Sequence, residues 1–324
     1  MQHLEASSAG RVLQRLCDGE YHSGEELGAG LGVTRAAICR AVQRLREYGL
    51  AVEACSGRGY RLPGGYEPLH LAGLEAAWRQ AGGEAGAQLR TLFRPASTSD
   101  EALRGPPEPT AAYFAEAQSG GRGRFARAWA SPLGGLYLSV AYRFARLIEP
   151  PAPLAVAVAL ALARTLRELD APVSVKWPND LLLEGGKLGG ILTELRGEPQ
   201  GPCRVVIGVG VNLAAPPGGA EVGDQRAAAL PGACYRGRRT ALAGRMAAAV
   251  AVTARAFEAE GLAGLIEDWP RYDALGGRQV TLSAPGRVLV GRACGIDPQG
   301  RLIIEHSGGR ERVSSGEVQV RAQP

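Results

Sequence analysis

Lysine is almost missing from this chain. Among 37 lysines and arginines in 324 residues only Lys176 and Lys187 are lysine, and both fall in one segment, KWPNDLLLEGGKLGGILTE, at Lys176–Glu194. A hydrated point charge on a flexible stem does work that a planar guanidinium does not, so two lysines kept together point to a site. Histidine is scarce too, with four scattered residues (His3, His22, His70, His306), which argues against a histidine-based metal centre. The six cysteines include no CxxC pair. Reduced thiols are therefore expected, and with no signal-peptide pattern at the start, a cytoplasmic setting. Long apolar runs are absent. The longest, Leu154–Ala163, is broken by Arg164 and is too short for a bilayer, so it is expected to be a buried helix and no membrane partner is expected. There is no GxxxxGK[ST] loop, nucleophile triad or metal-ligand cluster, so no metal site built from protein ligands is expected.

What the chain has is a hydrophobic fraction of 45%, ample for a sizeable core, and an ordinary 21% of charged residues. The net charge of +5 permits an anionic partner without requiring one. Alanine, glycine and arginine in excess resemble codon bias, so arginine content alone carries little weight.

The pattern along the chain is α+β. Residues 1–64 read as a winged helix-turn-helix. Ser23 caps a helix with Glu26 three residues on, Gly32 ends it, and Thr34 caps a second helix running to about Tyr48. Leu50–Glu53 and Tyr60–Leu62 are expected to flank the turn Ser56–Gly59 as a wing. The second helix carries Arg35, Arg40, Arg44 and Arg46. Thr34, Arg35 and Ala36 open it, where side chains meet base edges in a major groove, and Arg58 sits at the wing tip. The competing reading is a solvated basic face.

Residues 65–273 are expected to form a mixed β-sheet with helices packed on it. Strands are expected at Gln88–Phe93, Ala111–Ala117, Leu136–Phe144, Val173–Trp177, Leu181–Leu183, Ile191–Leu195 and Arg204–Leu213, with helices at Leu71–Ala81, Pro153–Leu169 and Thr240–Glu260. Residues 274–324 hold five short strands separated by turn signals such as Ala284-Pro285-Gly286 and Asp297–Gly300, which suggests a small β-barrel.

Two stretches carry the chemistry. In Gly120–Arg127 (GGRGRFAR), glycines let backbone amides approach an anion while Arg122, Arg124 and Arg127 offer forked donors. An arginine-glycine RNA-binding segment and a plain surface loop compete with that phosphate reading. Trp129 stacks on a purine or caps the core, the second being the commoner role. In KWPND, Pro178 stops a strand, so Asn179 and Asp180 reach a ligand or Mg²⁺, or else form an Asx turn. Lys187 follows a Gly-Gly turn and could set an ammonium against a phosphoryl oxygen. Gly208-Val209-Gly210-Val211-Asn212 is GxGxN rather than a dinucleotide fingerprint. Its glycines would make room for a flat ligand that Asn212 hydrogen-bonds. Together these suit attack of a carboxylate on the α-phosphate of a nucleotide.

GRGRFARAW, KWPND, KLGGILTE, GVGVN and the Ser97-Thr98 turn resemble the bifunctional biotin–protein ligase and biotin operon repressor family of the BirA type, and the resemblance covers essentially the whole chain. It implies a winged helix, a ligase core related to class II synthetases and an SH3-like C-terminal barrel. It further implies that biotin and MgATP give biotinyl-5′-adenylate, from which a lysine of a biotin carboxyl carrier protein takes the biotinyl group. By the same resemblance, Ser97, Thr98, Ser99 and Gln118 line the biotin site, with Gly190 beside Lys187. Gly121, Arg122, Gly123 and Arg124 form a loop over biotin and the adenylate. Lys187 binds the carboxylate and phosphoryl oxygens. Trp129 and Asn212 contact adenine, with Arg127 nearby, and Asn179 and Asp180 order water or Mg²⁺. Bound adenylate is expected to favour a homodimer that binds operator DNA. Three departures stand out: Ser99 where asparagine is common, Ala126 where glycine would take a positive φ, and Phe125 and Ala128 in place of basic residues. The alternatives are a DNA-binding biotin sensor with a degenerate ligase half, and a lipoate ligase on the same core.

Overall fold

A computed structural model describes residues 7–106, 110–145, 152–197, 202–213, 221–222, 225–284 and 287–320. Local capping chemistry sets the first three helices, α1 (Ser8–Leu16), α2 (Gly24–Leu31) and α3 (Arg35–Glu47). Ser23 Oγ accepts from Glu26 N while Glu26 reaches back to Ser23 N, a complete capping box. Gly32 ends α2 at φ 65°, a conformation open to glycine. Thr34 Oγ1 accepts from Ala37 N and starts α3, whose Ile38, Ala41, Val42 and Leu45 are buried.

The wing strands are β1 (Glu53–Cys55) and β2 (Gly59–Arg61), not the expected Leu50–Glu53 and Tyr60–Leu62. The shift has a cause. Leu50 and Val52 are tied back to α3, Leu50 N donating to Leu45 O and Arg46 Nε to Val52 O, so pairing begins only beyond them.

After α4 (Leu71–Gln80), a seven-stranded sheet forms from β3 (Gln88–Leu92), β4 (Ala111–Ala115), β5 (Leu136–Phe144), β6 (Ser174–Lys176), β7 (Asp180–Leu183), β8 (Gly186–Gly197) and β9 (Cys203–Val211), in the order β3-β4-β5-β9-β8-β7-β6. Only β3 and β4 run parallel, which makes the sheet mixed, as expected. Strand β8 begins at the Gly185-Gly186 turn, well before the expected Ile191. Gly189 permits this, because a Cβ there would lie 2.6 Å from Gly210 O on β9. One face of the sheet is covered by α6 (Ala152–Arg167) and a long helix at Arg239–Glu260, and Leu154–Ala163 is buried as expected apart from partly exposed Ala161. Among the described residues no helix is long and apolar enough to cross a membrane. The opposite face carries α5 (Thr98–Arg104) over Ala111, Tyr113, Ala141 and Val206.

The C-terminal strands Gln279–Ala284, Arg287–Ile296, Leu302–His306, Gly309–Val313 and Glu317–Val320 form a five-stranded antiparallel sheet with Gly309–Val313 and Glu317–Val320 at its edges. Residues 285 and 286 of one expected turn lie outside the described residues. The other turn is held by Asp297 Oδ1, which accepts from Gln299 N and Arg301 N.

The segment leaving the winged helix is fastened to the sheet through a buried ion pair. Glu116, at the end of β4, accepts from Arg239 Nη1 (2.7 Å), Tyr66 Oη (2.8 Å) and Leu69 N (2.8 Å). Arg239 also donates to Glu67 O and Gly135 O, both at 2.8 Å. Arg239→Met removes the guanidinium from a buried carboxylate and is expected to cost about 3–5 kcal/mol of stability. Urea unfolding measures this, and a loss within 1 kcal/mol (about the value of one exposed pair) would refute it.

Candidate active site

A cavity of about 820 Å³ opens on the α5 side of the sheet and receives both glycine-bearing motifs. Its two ends differ chemically. At one end α5 brings Thr98 and Ser99 against Gln118 and Gly208. Thr98 N and Oγ1 both donate to Gln118 Oε1, at 2.8 and 3.2 Å, and Gln118 Nε2 donates to Ser131 Oγ at 2.9 Å. Ser97 caps α5 by accepting from Ser99 N. This end is polar and uncharged.

The other end is cationic. Arg122, Arg124 and Lys187 all line the same cavity, with Lys176, Asn179 and Asp180. Lys187 Nζ is 2.7 Å from Asp180 Oδ1 and 5.6 Å from the centre of the Trp129 ring. Arg124 Nη1 donates to Asn179 Oδ1 at 3.3 Å, and burial lowers its pKa from the ordinary value. Arg122 makes a forked pair with Asp100 (3.0 and 2.7 Å), and its Nη2 reaches Glu194 Oε1 at 3.4 Å. That pairing raises the arginine's pKa and holds the Asp100 carboxyl below its ordinary value. Glu194 Oε2 is buried with no hydrogen-bond partner among the described residues.

The loop between the two ends has an unusual backbone. Ala126 adopts φ 55° although it lacks glycine's freedom, and Phe125 does the same at φ 56°. The alanine therefore does not exclude the conformation expected of glycine. Phe125 points outward, 62% exposed. Gly121 does not line the cavity. It lies under the loop, where a Cβ would meet Trp129 O and Ser131 Oγ, both at 2.6 Å. Gly123 and Gly190 do line it. Arg127 pairs with Glu317 from the last strand, and Arg124 also reaches Gly316 O, so the C-terminal sheet closes one side.

Several expectations are corrected. Asn212 does not reach the cavity. Its Nδ2 donates to Ala228 O (3.1 Å) and Lys187 O (3.4 Å), two backbone carbonyls that lie in front of the strand end. Trp129 is not a core cap. It is partly exposed on the cavity wall, with Nε1 buried and unpartnered among the described residues. The room left by Gly210 is taken by that indole, which a Cβ would approach to 2.6 Å, and the room left by Gly208 by Ser99 Oγ at 2.7 Å. Asn179 Nδ2 donates to Ile191 O at 2.7 Å. The sequence reading missed Ser139, Asp100, Glu194 and the 316–319 segment. Only Ser139 left a signal, as a hydroxyl inside the apolar run LYLSVAYRF.

On the winged helix, Arg35, Ala36, Arg40 and Arg44 are exposed on the outer face of α3, and Arg58 is exposed with its guanidinium 4.0 Å from the Tyr21 ring. Thr34 is exposed too, but its hydroxyl is occupied in capping.

A cavity with an uncharged hydroxyl end and a cationic end suits activation of an acid, and the chain joins it to a basic winged helix. The comparisons agree. Residues 94–212 match the biotin/lipoate A/B protein ligase family, 275–321 the biotin protein ligase C-terminal domain, and 11–61 a helix-turn-helix domain. The bifunctional ligase/repressor BirA of Escherichia coli is 37% identical over 96% of this chain and 97% of its own length. That of Bacillus subtilis is 28% identical over 93% and 94%. A solved structure, biotin protein ligase from Aquifex aeolicus in complex with biotin and ATP, shares the fold with a TM-score of 0.62, at 24% identity over 73% of this chain and 99% of that one. The chain belongs to the BirA family of bifunctional ligase/repressors.

The Asp100–Arg122 pair gives a pH prediction. The folded-state pKa of Asp100 is depressed, so the pair's stability is present above the ordinary aspartate value of 3.8 and is lost as pH falls through the folded value. The melting temperature of Asp100→Asn should therefore fall less between pH 5 and pH 3 than the wild type's, and parallel curves would count against it.

Proposed function

We propose that the chain activates biotin with ATP, transfers the biotinyl group to a lysine of the biotin carboxyl carrier protein of acetyl-CoA carboxylase, and represses biotin biosynthesis genes when biotin is plentiful. The single observation that carries the enzymatic half is the convergence of Arg122, Arg124 and Lys187 on the cavity that Thr98 and Ser99 also line. The uncharged end takes the uncharged ring of biotin and the cationic end its carboxylate, which points the acid at the nucleotide. A carboxylate oxygen attacks the α-phosphorus, the bond to the bridging oxygen breaks, and pyrophosphate leaves with that oxygen. The acceptor amine then attacks the acyl carbon of biotinyl-5′-AMP. AMP leaves, and the amine's surplus proton passes to solvent.

In this reading Lys187 and Arg124 neutralise charge building on the phosphoryl oxygens, and Arg122, gripped by Asp100, fixes the wall beside biotin. Gly123 and Gly190 keep the backbone close to the ligand, and Gly121 lets the loop pack on Trp129 O and Ser131 beneath it. The Trp129 ring on the cavity wall is suited to stacking against the nucleotide's base. Arg127 borders the nucleotide from the loop's far end, and Asn212 supports the Lys187 carbonyl from behind. Among the described residues no cluster of three metal-ligating side chains exists, and Asp180 is engaged by Lys187. Asn179 and Asp180, both on the cavity wall, would hold a Mg²⁺ that arrives with the nucleotide's phosphates and screens their charge. The regulatory half assigns operator contact to Thr34, Arg35, Ala36, Arg40, Arg44 and Arg58, in a homodimer favoured by bound adenylate, within the cytoplasm. Residues 1–64, 65–273 and 274–324 are taken as the three working units.

Incubation with biotin and MgATP, followed by mass analysis, is expected to yield biotinyl-adenylate; biotin binding without adenylate would leave only the sensor. Lys187→Ala is expected to slow adenylate formation by about 10²–10³-fold with an unchanged melting temperature. Turnover within a fewfold of wild type would remove the role given to Lys187. Arg35→Ala is expected to weaken operator binding by about 5- to 150-fold and to spare ligation, as a gel shift alongside a biotinylation assay would report.

A further inference from the structure

One hydroxyl behind the cavity wall has no role in the reading above. Ser139, in the middle of β5, is fully buried and does not line the cavity. Its Oγ lies 2.7 Å from Thr98 Oγ1 and 3.1 Å from Ser99 Oγ. Three hydroxyls and one amide oxygen therefore form a chain, Ser99–Ser139–Thr98–Gln118, and its direction can be worked out.

Gln118 Oε1 receives the Thr98 backbone N–H, so that atom is the amide oxygen and can only accept. Thr98 Oγ1 must then give its proton to Gln118 Oε1. With its only proton committed, Thr98 Oγ1 accepts from Ser139, whose proton is thereby used. Ser139 Oγ in turn accepts from Ser99. The other side of Gln118 agrees: Nε2 donates to Ser131 Oγ, whose own proton goes to Trp129 O. Each hydroxyl has one proton, so the last one, Ser99 Oγ on the cavity wall, is left with lone pairs and no proton to offer.

We propose that Ser139 is a positioning residue that locks the Ser99 hydroxyl as a hydrogen-bond acceptor, so that this end of the cavity selects a ring bringing an N–H to it and rejects one bringing an oxygen. This rests on the biotin-ligase reading, in which the uncharged cyclic urea of biotin occupies this end. A ureido N–H satisfies Ser99 Oγ, whereas an oxygen in its place sets lone pair against lone pair. A site built around a buried polar group discriminates strongly against the analogue that leaves it unpaired.

The test compares biotin with its two cyclic carbamate analogues, each having one ring N–H replaced by oxygen, as substrates for adenylate formation. In the wild type one of the two carbamates is expected to be disfavoured by about 10²-fold or more in kcat/KM, through KM rather than kcat. Ser139→Ala releases the Ser99 proton, which can then turn toward the carbamate oxygen. Discrimination against that analogue should fall by about tenfold, the effect of one hydrogen bond. A merely structural role for Ser139 would weaken biotin and carbamate alike and leave their ratio unchanged, and that result overturns the proposal. Ser139→Thr, which keeps a hydroxyl able both to accept from Ser99 and to donate to Thr98, should restore most of the discrimination. It also serves as the test variant should Ser139→Ala fail to fold, since loss of discrimination in the threonine variant would likewise contradict the relay. Wild-type protein that adenylates neither biotin nor the carbamates would refute the ligase reading instead, so the two failures are distinguishable.

Discussion

Glu116 and Arg239 are joined in the interior by a contact that several other parts of the structure depend on. The carboxylate sits where β4 ends and the path toward the glycine-arginine loop begins, and the guanidinium sits at the start of the long helix spanning the back of the sheet. Between them they bind Tyr66, Glu67 and Leu69 of the segment leaving the winged helix, and the backbone of Gly135 entering β5. Burying both charges is expensive unless hydrogen bonds compensate, and here backbone carbonyls take the Arg239 Nη groups and an amide and a phenol reach the carboxylate, while Arg239 Nε has no partner among the described residues. The result fixes the direction in which the chain enters residues 117–135, the stretch that contains Gln118, Arg122, Arg124 and Trp129.

The same stretch carries a second constraint. Ala117 and Leu133, at its two ends, are buried in the core of the winged helix, where Leu133 N donates to Tyr48 O and the Tyr48 ring meets Phe93 edge-on at 6.2 Å. The loop is therefore held by the winged helix at its base and by Glu317 of the C-terminal sheet at Arg127. Its crown, with Phe125 and Ala126 both at positive φ, carries strain that an exposed, unsupported turn would shed. Three parts of the chain distant in sequence thus meet around this loop.

What could be read from sequence was what is decided locally. The capping box at Ser23 and Glu26, the glycine stop at Gly32 and the buried helix near Leu154–Ala163 depend on residues within one or two turns of each other. The cationic end was legible for a different reason, since scarcity made Lys187 conspicuous without any contact being known. The misreadings share a cause. Ser139 meets Thr98 across 41 positions, Arg122 meets Glu194 across 72, and Arg124 meets Gly316 across 192, so their pairing is set by sheet order rather than by neighbours. Asn212 looked like a ligand group because a strand-end asparagine usually has solvent before it, whereas here two carbonyls lie in front of it.

The contrast between Arg122 and Lys187 explains why lysine persists at one position in a chain that uses arginine nearly everywhere else. Both face a carboxylate at 2.7 Å. Arg122 locks onto Asp100 with both forks, and its remaining reach goes to Glu194, a geometry suited to holding a wall in place. Placed at 187, a guanidinium could fork onto Asp180 in the same way and be held there. An ammonium touches Asp180 Oδ1 as a point charge, keeps donors to spare and lies 5.6 Å from the face of Trp129, which favours a cation without binding it by direction. A charge held that loosely can follow an oxygen as it passes from carboxylate to phosphoanhydride, which a forked pair could do only by breaking first.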